Sequence, residues 1–355
     1  MDVNLNLIAM RKNQVLQLMQ HWSLDALLIE NPVDVFYLTG MSASAAQVVF
    51  LAEESFLLVD GRYYEVAKQT VAQGYEIVLS NQEALSKTLG QVKTVGIDSA
   101  FLTVDRFERL QQSIPDKKWV SISRPLKSLR VCKEPSEIAK LKRAAETTRQ
   151  GYLHILDQLQ EGISEQELSL SFELYCKRHG ASSLSFDPII AFGENSAYPH
   201  HRAGASKLKK NQIVLLDLGA IVDRYRGDMT RVVFFGEPDP KLLQLYELVQ
   251  SAYLAAFVAV RPGCRLGDLD RVARSVLAKE GVESLFTHGL GHGIGLETHE
   301  YPSVRETGDD RDLLLRPGMV FTIEPGLYLP GLGGVRYENT IAVTENGAEN
   351  FYAGL

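Results

Sequence analysis

Residues 215–231 read LLDLGAIVDRYRGDMTR, and this stretch decides the fold of the second half of the chain. An apolar run ends in Asp217, and Asp228 follows 228 − 217 = 11 residues later, after turn-forming residues at 223–227. That spacing suits a β-hairpin and predicts that the two aspartates lie face to face. An unpaired carboxylate at the end of so apolar a strand would cost several kcal/mol of desolvation, on the order of a lost buried ion pair. Asp223 and Asp228 could instead be turn residues or helix caps. A purely structural role fits Asp217 poorly.

A glycine- and histidine-rich segment, FTHGLGHGIGL, follows at residues 286–296, with His299 and Glu300 just beyond. Its four alternate glycines would let backbone and ligand approach closely. The spacing is not a dinucleotide-binding fingerprint, and no HExxH zinc motif is present. One histidine is more often structural than a ligand, whereas three in one such segment (His288, His292 and His299) favour a functional site.

Two glutamates occupy apolar strands near the C-terminus. Glu324 lies in FTIEPG (residues 321–326) and Glu338 in GVRYENT (residues 334–340). Strand alternation predicts that Arg336 and Glu338 share one face, so that Arg336 pairs with or orients Glu338. Taken singly, each glutamate is as compatible with a structural role as with a catalytic one.

The charge of this acidic set indicates how many metal ions it would hold. Asp217, Asp228, Glu324 and Glu338 sum to −4 when ionised, and carboxylates brought that close raise one another's pKa unless cations compensate. Two divalent ions would cancel the charge. Oxygen ligands with one imidazole, His292, suit Mn²⁺, Co²⁺ or Zn²⁺, and paired ions of this kind occur in aminopeptidases.

Length and composition indicate two domains. The chain has 355 residues, and its first third alternates strand-like and helix-like segments, which predicts an α/β layer with a mixed sheet. We place the boundary near residue 130, giving an N-terminal α/β domain (1–130) and a C-terminal α+β domain (131–355) with a largely antiparallel sheet.

The net charge, the cysteines and the N-terminal sequence limit the possible partners and cellular location. The net charge of −7 disfavours nucleic-acid binding, and three widely separated cysteines do not form a disulfide framework. The N-terminal segment lacks a signal-peptide pattern, so we expect a cytoplasmic protein that uses neither nucleic acid nor membrane as a partner.

The motifs together resemble the pita-bread metallopeptidases, specifically the Xaa-Pro branch that contains aminopeptidase P and prolidase. The segments that carry the resemblance are LLDLGAIVDRYRGDMTR, THGLGHGIGLETHEYP (287–302), FTIEPGLY (321–328), GVRYENT and SFDPIIAFGENSAYPHHRA (185–203). NPVDVFYLTG (31–40) and LLVDGRYYEVA (57–67) are similar to the creatinase-type N-terminal domain. The resemblance implies a C-terminal pita-bread domain with a smaller N-terminal creatinase-type domain.

The resemblance also implies roles for individual residues. The metal ligands would be Asp217, Asp228, His292, Glu324 and Glu338. Of these, Asp228 and Glu338 would bridge two ions, and Glu324 would also handle protons.

The remaining roles fall to side chains around those ligands. His299 would stabilise the oxyanion and bind substrate, and His288 would line the substrate pocket. His200 would shuttle protons or hold the leaving side; His201 is its neighbour, but the register favours His200. Arg336 would position Glu338. Gly227 stands where serine is common, and Asn339 where aspartate is common.

The implied activity is hydrolysis of the Xaa-Pro bond at peptide N-termini by two divalent ions, with Mn²⁺ preferred over Co²⁺ or Zn²⁺. We prefer an aminopeptidase P and keep prolidase, which cleaves only Xaa-Pro dipeptides, as the alternative. A non-catalytic peptide-binding protein and metal-free creatinase chemistry are remoter, because the ligand set is intact. Methionine aminopeptidase fits poorly because it normally lacks the front domain. Relatives commonly form dimers, so a homodimer is expected.

Overall fold

The computed structural model describes residues 5–71 and 74–355, and it divides into two compact units between Arg130 and Val131. The first unit contains one six-stranded sheet in the order β4-β3-β2-β1-β5-β6. Its strands are β1 (Ala26–Ile29), β2 (Ala46–Phe50), β3 (Ser55–Val59), β4 (Glu76–Leu79), β5 (Thr94–Asp98) and β6 (Lys118–Ile122). Its helices are α1 (Leu5–His21), α2 (Pro32–Thr39), α3 (Tyr64–Thr70), α4 (Ala84–Leu89), α5 (Val104–Ser113) and α6 (Lys127–Arg130).

The expected mixed sheet is confirmed. Strand β1 pairs antiparallel with β2 and parallel with β5, and all four of its residues are buried. Such complete burial explains why its sequence, ALLI, is continuously apolar rather than alternating.

Helix α2 was not predicted, although its sequence carries the usual signals for both ends. The Asn31 side chain accepts a hydrogen bond from the backbone N–H of Val33 (3.0 Å), and Pro32 occupies the first helical turn. Gly40, with φ of 73°, ends the helix in the left-handed conformation.

The second unit is α+β, and its strand pairings within the described residues are antiparallel, as expected. Its helices are α7 (Pro135–Leu156), α8 (Glu165–Arg178), α9 (Pro240–Ala259) and α10 (Leu266–Lys279), with 3₁₀ turns at Gly193–Ala197 and Glu283–Leu285. Its first strands are β7 (Ser183–Leu184), β8 (Ile189–Phe192), β9 (Gln212–Leu218), β10 (Ala220–Val222), β11 (Tyr225–Arg226) and β12 (Met229–Phe235). They are followed by β13 (Gly291–Gly293), β14 (Glu300–Val304), β15 (Val320–Ile323), β16 (Gly326–Leu329), β17 (Gly333–Arg336), β18 (Asn339–Thr344) and β19 (Gly347–Asn350).

These strands form several small sheets that are covered by helices. Their orders are β12-β9-β8, β11-β10-β7, β14-β13-β15-β18-β19 and β16-β17. Helices α9 and α10 share one hydrophobic core with strands from three of the four sheets. Among the described residues, only α9 is long and apolar enough to span a membrane, and its buried side chains belong to this core.

The hairpin around Asp217 forms, but its register differs from the prediction. The turn residues Asp223 and Arg224 both have positive φ (49° and 71°), so they form a two-residue turn. The cross-strand residue pairs of the hairpin are therefore symmetric about the bond between Asp223 and Arg224. Asp217 therefore lies opposite Thr230, and Met229 opposite Leu218. The expectation that the two aspartates face each other directly is wrong, because the tight turn shifts Asp228 to a diagonal position.

Gly227 has a packing reason for lacking a side chain. A Cβ there would collide with the Thr148 hydroxyl and lie 2.8 Å from the carbonyl oxygen of Ala144, both on α7. The Thr148 hydroxyl is fixed, because it donates to that carbonyl (2.9 Å) and accepts the backbone N–H of Ala220 (3.0 Å). Serine, the residue common at this position in the resembling family, would not fit against this helix.

We therefore expect Gly227→Ala to destabilise the protein by about 1–3 kcal/mol through overpacking, and to reduce metal binding at the adjacent Asp228. Urea denaturation and metal titration measure the two effects. Gly61→Ala is the matched control, since a Cβ at Gly61 meets nothing within 4 Å; it should change stability by less than about 0.5 kcal/mol. Equal effects of both variants would contradict this account.

Candidate metal centre

Three predicted ligands converge to form the centre of the site. Ligand atoms of Asp228, His292 and Glu338 all lie within 4.8 Å of one another. His292 Nε2 is 3.5 Å from Asp228 Oδ2 and 3.5 Å from Glu324 Oε1. The site is thus assembled from the ends of strands that are distant in sequence.

Asp217 completes the acidic set from strand β9. Its charge raises the pKa of Asp228, Glu324 and Glu338, which places it beside all three. The structure therefore brings together all five residues that the sequence predicts as ligands.

The four carboxyl groups are unfavourable as anions without a counter-charge. Burial, and then the charge of Glu338, raises the pKa of Asp228 and of Glu324 well above their usual values. Burial and the charge of Asp217 raise the pKa of Glu338 to about 8. Burial also raises the pKa of Asp217, although Arg336 offsets part of that increase. In the absence of cations the cluster would therefore retain protons at neutral pH.

His292 presents a neutral ligand nitrogen to this cluster. Burial, followed by the charge of His299, lowers the pKa of His292 to about 3. Its Nδ1 lies 3.2 Å from the carbonyl oxygen of Gly293, which can only accept, so the proton resides on Nδ1. Nε2 is then unprotonated and faces Asp228 and Glu324, which is the form that binds a metal.

The donor set fits divalent cations. Oδ1 of Asp217 is buried and has no hydrogen-bond partner among the described residues. A buried carboxylate oxygen left without a partner is costly, and a cation in the cluster would compensate it. Four carboxylates and one neutral imidazole match the preferences of Mn²⁺, Co²⁺ and Zn²⁺.

Strand alternation had suggested that Arg336 pairs with Glu338 or orients it, and the contacts support the second role, because the described residues show no direct hydrogen bond between the two. The Arg336 guanidinium instead donates to Asp217 Oδ2 and, through Nε, to the hydroxyl oxygen of Thr230 (3.0 Å). The Thr230 hydroxyl in turn donates to Glu338 Oε2 (2.6 Å). Strand β17 ends at Arg336 and β18 begins at Asn339, so the two residues do not share one continuous strand. Arg336 is linked to Glu338 by hydrogen bonds through Thr230, and its charge also lowers the pKa of Glu338.

Tyr328 joins this network to His288, the residue predicted to line the substrate pocket, and the sequence analysis missed both Tyr328 and Thr230. Its hydroxyl accepts from Arg336 (2.9 Å) and lies 2.9 Å from His288 Nε2. His288 also contacts the carbonyl oxygen of Gly289 through Nδ1 (2.8 Å), and burial lowers its pKa to about 4. A tyrosine in the apolar strand that follows Glu324 was the available signal for Tyr328.

A second buried arginine fixes the backbone around Glu338. Arg231 donates to the carbonyl oxygens of Glu338 (2.7 Å) and Thr230 (2.9 Å), and to Asn339 Oδ1 (2.7 Å). Asn339 replaces the aspartate common in the resembling family, and its amide oxygen still accepts from Arg231. This departure therefore preserves the contact.

Two of the four alternate glycines, Gly291 and Gly293, serve strand packing. A Cβ at Gly291 would collide with the carbonyl of Thr322 on β15, and one at Gly293 would lie 2.5 Å from the carbonyl oxygen of Tyr301. The sequence had suggested close approach of a ligand. Here the neighbouring atoms are strand backbone, which allows β13 to bring His292 deep into the sheet.

Two predicted catalytic histidines are exposed at the site. The centroid of the His299 ring lies 4.2 Å from that of the His292 ring. Partial burial lowers the pKa of His299 below its usual value. His200 lies in the loop after β8, where its charge lowers the pKa values of Asp217, His288 and His299. His201 instead bonds to Glu165 Oε2 at 2.8 Å, which supports His200 as the histidine that faces the site.

Comparison with known proteins agrees with this geometry. The model of metallopeptidase family M24 matches residues 139–345, and the model of the creatinase/prolidase N-terminal domain matches residues 11–132. A curated Xaa-Pro dipeptidase of Pyrococcus horikoshii is 34% identical over 95% of both chains.

Solved structures are similar over nearly the whole chain. The Xaa-Pro dipeptidase of Bacillus anthracis has a TM-score of 0.93 and 33% identity, with 98% of each chain covered. The X-Pro aminopeptidase of Thermotoga maritima has a TM-score of 0.86 and 30% identity, covering 94% of this chain and 97% of its own. The pita-bread architecture expected from the sequence is confirmed.

The raised pKa values predict how stability depends on pH in metal-free protein. A carboxyl group whose pKa is higher in the folded than in the unfolded state stabilises the fold below its unfolded pKa, and this contribution is lost as pH rises through its folded pKa. For Glu338 the window runs from its usual value of 4.5 to about 8. We expect chelator-treated protein to lose stability over this range, and metal-loaded protein to lose much less.

Asp228→Asn provides the test variant, since it removes one charge at nearly constant shape. Thermal melting across pH should show a shallower decline for metal-free Asp228→Asn than for the metal-free parent. The same variant should bind fewer ions by elemental analysis. A metal-free parent whose melting temperature rises from pH 5 to 8 would overturn the electrostatic account.

Proposed function

Because the chain belongs to metallopeptidase family M24, we propose that it hydrolyses the bond between an N-terminal residue and proline, with Xaa-Pro dipeptides as preferred substrates. The observation that carries the proposal is the convergence of four buried carboxyl groups on one neutral imidazole. We assign this chemistry to residues 131–355, and we propose that residues 1–130 form the creatinase-type N-terminal domain.

The five ligand residues would hold two divalent ions. The proposed ligands are Asp217, Asp228, His292, Glu324 and Glu338. Ions held there would polarise the scissile carbonyl and supply a water nucleophile at neutral pH. We propose Mn²⁺ as the native metal, with Co²⁺ and Zn²⁺ as alternatives.

The chain's own residues then move protons and stabilise charge. The Glu324 side chain is 17% exposed, more than those of Asp217 (12%) and Asp228 (5%), so it can reach substrate and carry a proton to the leaving nitrogen. The proton that Glu324 takes from the attacking water goes to that nitrogen, which leaves as the secondary amine of proline only when protonated. His299, exposed beside His292, can donate an N–H to the oxyanion.

Proline fits this arrangement because of its shape. Its nitrogen carries no hydrogen and its ring fixes φ, so a pocket can select the ring without an acceptor for an N–H. His288, held by Tyr328, is the proposed pocket residue, and His200 is proposed to hold the leaving side or shuttle protons.

The dipeptidase is better supported than the aminopeptidase P preferred from the sequence. Relatives named Xaa-Pro dipeptidase are 34% and 33% identical to this chain. The Thermotoga X-Pro aminopeptidase, at 30% identity, keeps the aminopeptidase as a second candidate. We also propose a homodimer and a cytoplasmic location.

A substrate-length series tests the proposal. Metal-stripped protein reloaded with Mn²⁺, Co²⁺ or Zn²⁺ should cleave an Xaa-Pro dipeptide about 10-fold or more faster, by kcat/KM, than the matched Xaa-Pro-Yaa tripeptide. Xaa-Ala dipeptide is the control and should be a poor substrate. Faster tripeptide cleavage would favour the aminopeptidase, and absence of cleavage before proline with every metal would refute the proposed function.

Substitution of His299 tests its role at the oxyanion. We expect His299→Ala to lower kcat by about 10²–10³-fold with little change in KM, because the contact forms in the transition state. His179→Ala, which alters the exposed histidine that follows α8, is the matched control. An increase in KM at constant kcat would assign His299 to substrate binding instead.

A further inference from the structure

Glu165 is a fully buried carboxylate that the proposed chemistry does not use. It is the first residue of α8 and has 0% exposure. Oε1 accepts from the backbone N–H of Phe192 (2.9 Å) and from Asn195 Nδ2 (2.7 Å). Oε2 accepts from His201 Nε2 (2.8 Å) and the backbone N–H of Gly204 (3.0 Å). All four donors belong to one segment, residues 192–204.

Helix α8 does not require Glu165 as a cap. Ser164 and Glu167 already form a reciprocal capping box, in which the backbone N–H of Ser164 donates to Glu167 Oε2 (2.8 Å) and that of Glu167 to Ser164 Oγ (3.2 Å). A buried carboxylate is tolerated only when donors satisfy it. The four donors therefore tie the segment to α8 without contributing to the helix cap.

The tied segment carries His200 between two anchors. On one side, Ser196 Oγ accepts the backbone N–H of Gly334 (2.8 Å), in the strand that ends with Arg336. On the other side, His201 is fixed on Glu165. Holding the neighbouring ring limits the motion of the backbone at His200. The exposed His200 side chain lies close enough to the site for its charge to lower the pKa values of Asp217, His288 and His299.

We propose that Glu165 and His201 are positioning residues that present His200 to the substrate. The inference rests on the proposed function. Neither residue touches the reacting atoms; they fix the backbone on both sides of His200, so that its imidazole is in place before substrate binds.

A double-mutant cycle separates positioning from general stability. In metal-loaded protein, Glu165→Gln should lower kcat on an Xaa-Pro dipeptide about 10-fold or more, because the amide nitrogen cannot accept from His201 or Gly204. In a His200→Ala background the same change should lower kcat by no more than about twofold. Glu167→Gln, two residues along α8, is the matched control: it weakens the cap and should leave kcat unchanged.

A second pair of variants keeps the test independent of folding at Glu165. Gln at position 201 can donate its amide N–H to Glu165, whereas alanine cannot, so His201→Gln should retain most of the kcat that His201→Ala loses. Hydrogen exchange in residues 192–204 should rise in His201→Ala and Glu165→Gln but not in Glu167→Gln.

The outcomes separate the two claims. Active parent protein with an equal kcat loss from Glu165→Gln in both backgrounds would overturn the positioning role while leaving the proposed function intact. No cleavage of prolyl substrates by the parent protein would overturn both. A loss of kcat from Glu165→Gln that occurs only while His200 is present, with rescue by His201→Gln, supports the inference.

Discussion

Mutual repulsion among four buried carboxyl groups is the constraint on which the rest of the second unit depends. The charge of Asp217 raises the pKa of Asp228, Glu324 and Glu338, and the charge of Glu338 raises that of Asp228 and Glu324. One arginine, Arg336, compensates part of this charge through Asp217. The remainder is compensated either by bound protons or by divalent cations, and membership of a metallopeptidase family implies the cations. The surrounding layer, in which Arg231 and Thr230 hold Glu338, keeps the acids together despite that repulsion.

The acidic ligand candidates and the mixed sheet could be predicted because residue type and hydrophobic periodicity can be read from short stretches of sequence. Carboxylates in apolar strands, such as Asp217 and Glu324, are conspicuous, since burial would be costly without a purpose. The mixed sheet of the first unit followed from alternating segments. The register of β9 and β12 was mispredicted because it depends on a two-residue turn with positive φ at non-glycine residues, Asp223 and Arg224. Small shifts in a turn displace every cross-strand pair.

Partner choice of side chains could not be predicted for a different reason. Arg336 lies two residues from Glu338 in sequence, yet it contacts Asp217 and Thr230, because the strand is interrupted between the two residues. Similarly, His200 and His201 are adjacent and chemically identical, and only their three-dimensional partners distinguish them. Departures from the family pattern also acquire reasons only in the fold: Gly227 avoids Thr148 of α7, and Asn339 still accepts from Arg231.

Comparison of two kinds of buried acid shows how a ligand differs from a structural carboxylate. Glu165 is completely buried, but each of its oxygens accepts two hydrogen bonds, and Glu300 is paired with Lys133 at 2.6 Å. The protein has already supplied their counter-dipoles or counter-charge. Asp217 leaves one buried oxygen without a partner among the described residues, and Asp228 faces like charges. Burial alone therefore does not identify a metal ligand. A buried carboxylate that lacks enough hydrogen-bond donors or positive charge does, and in this unit such carboxylates lie at the site around His292.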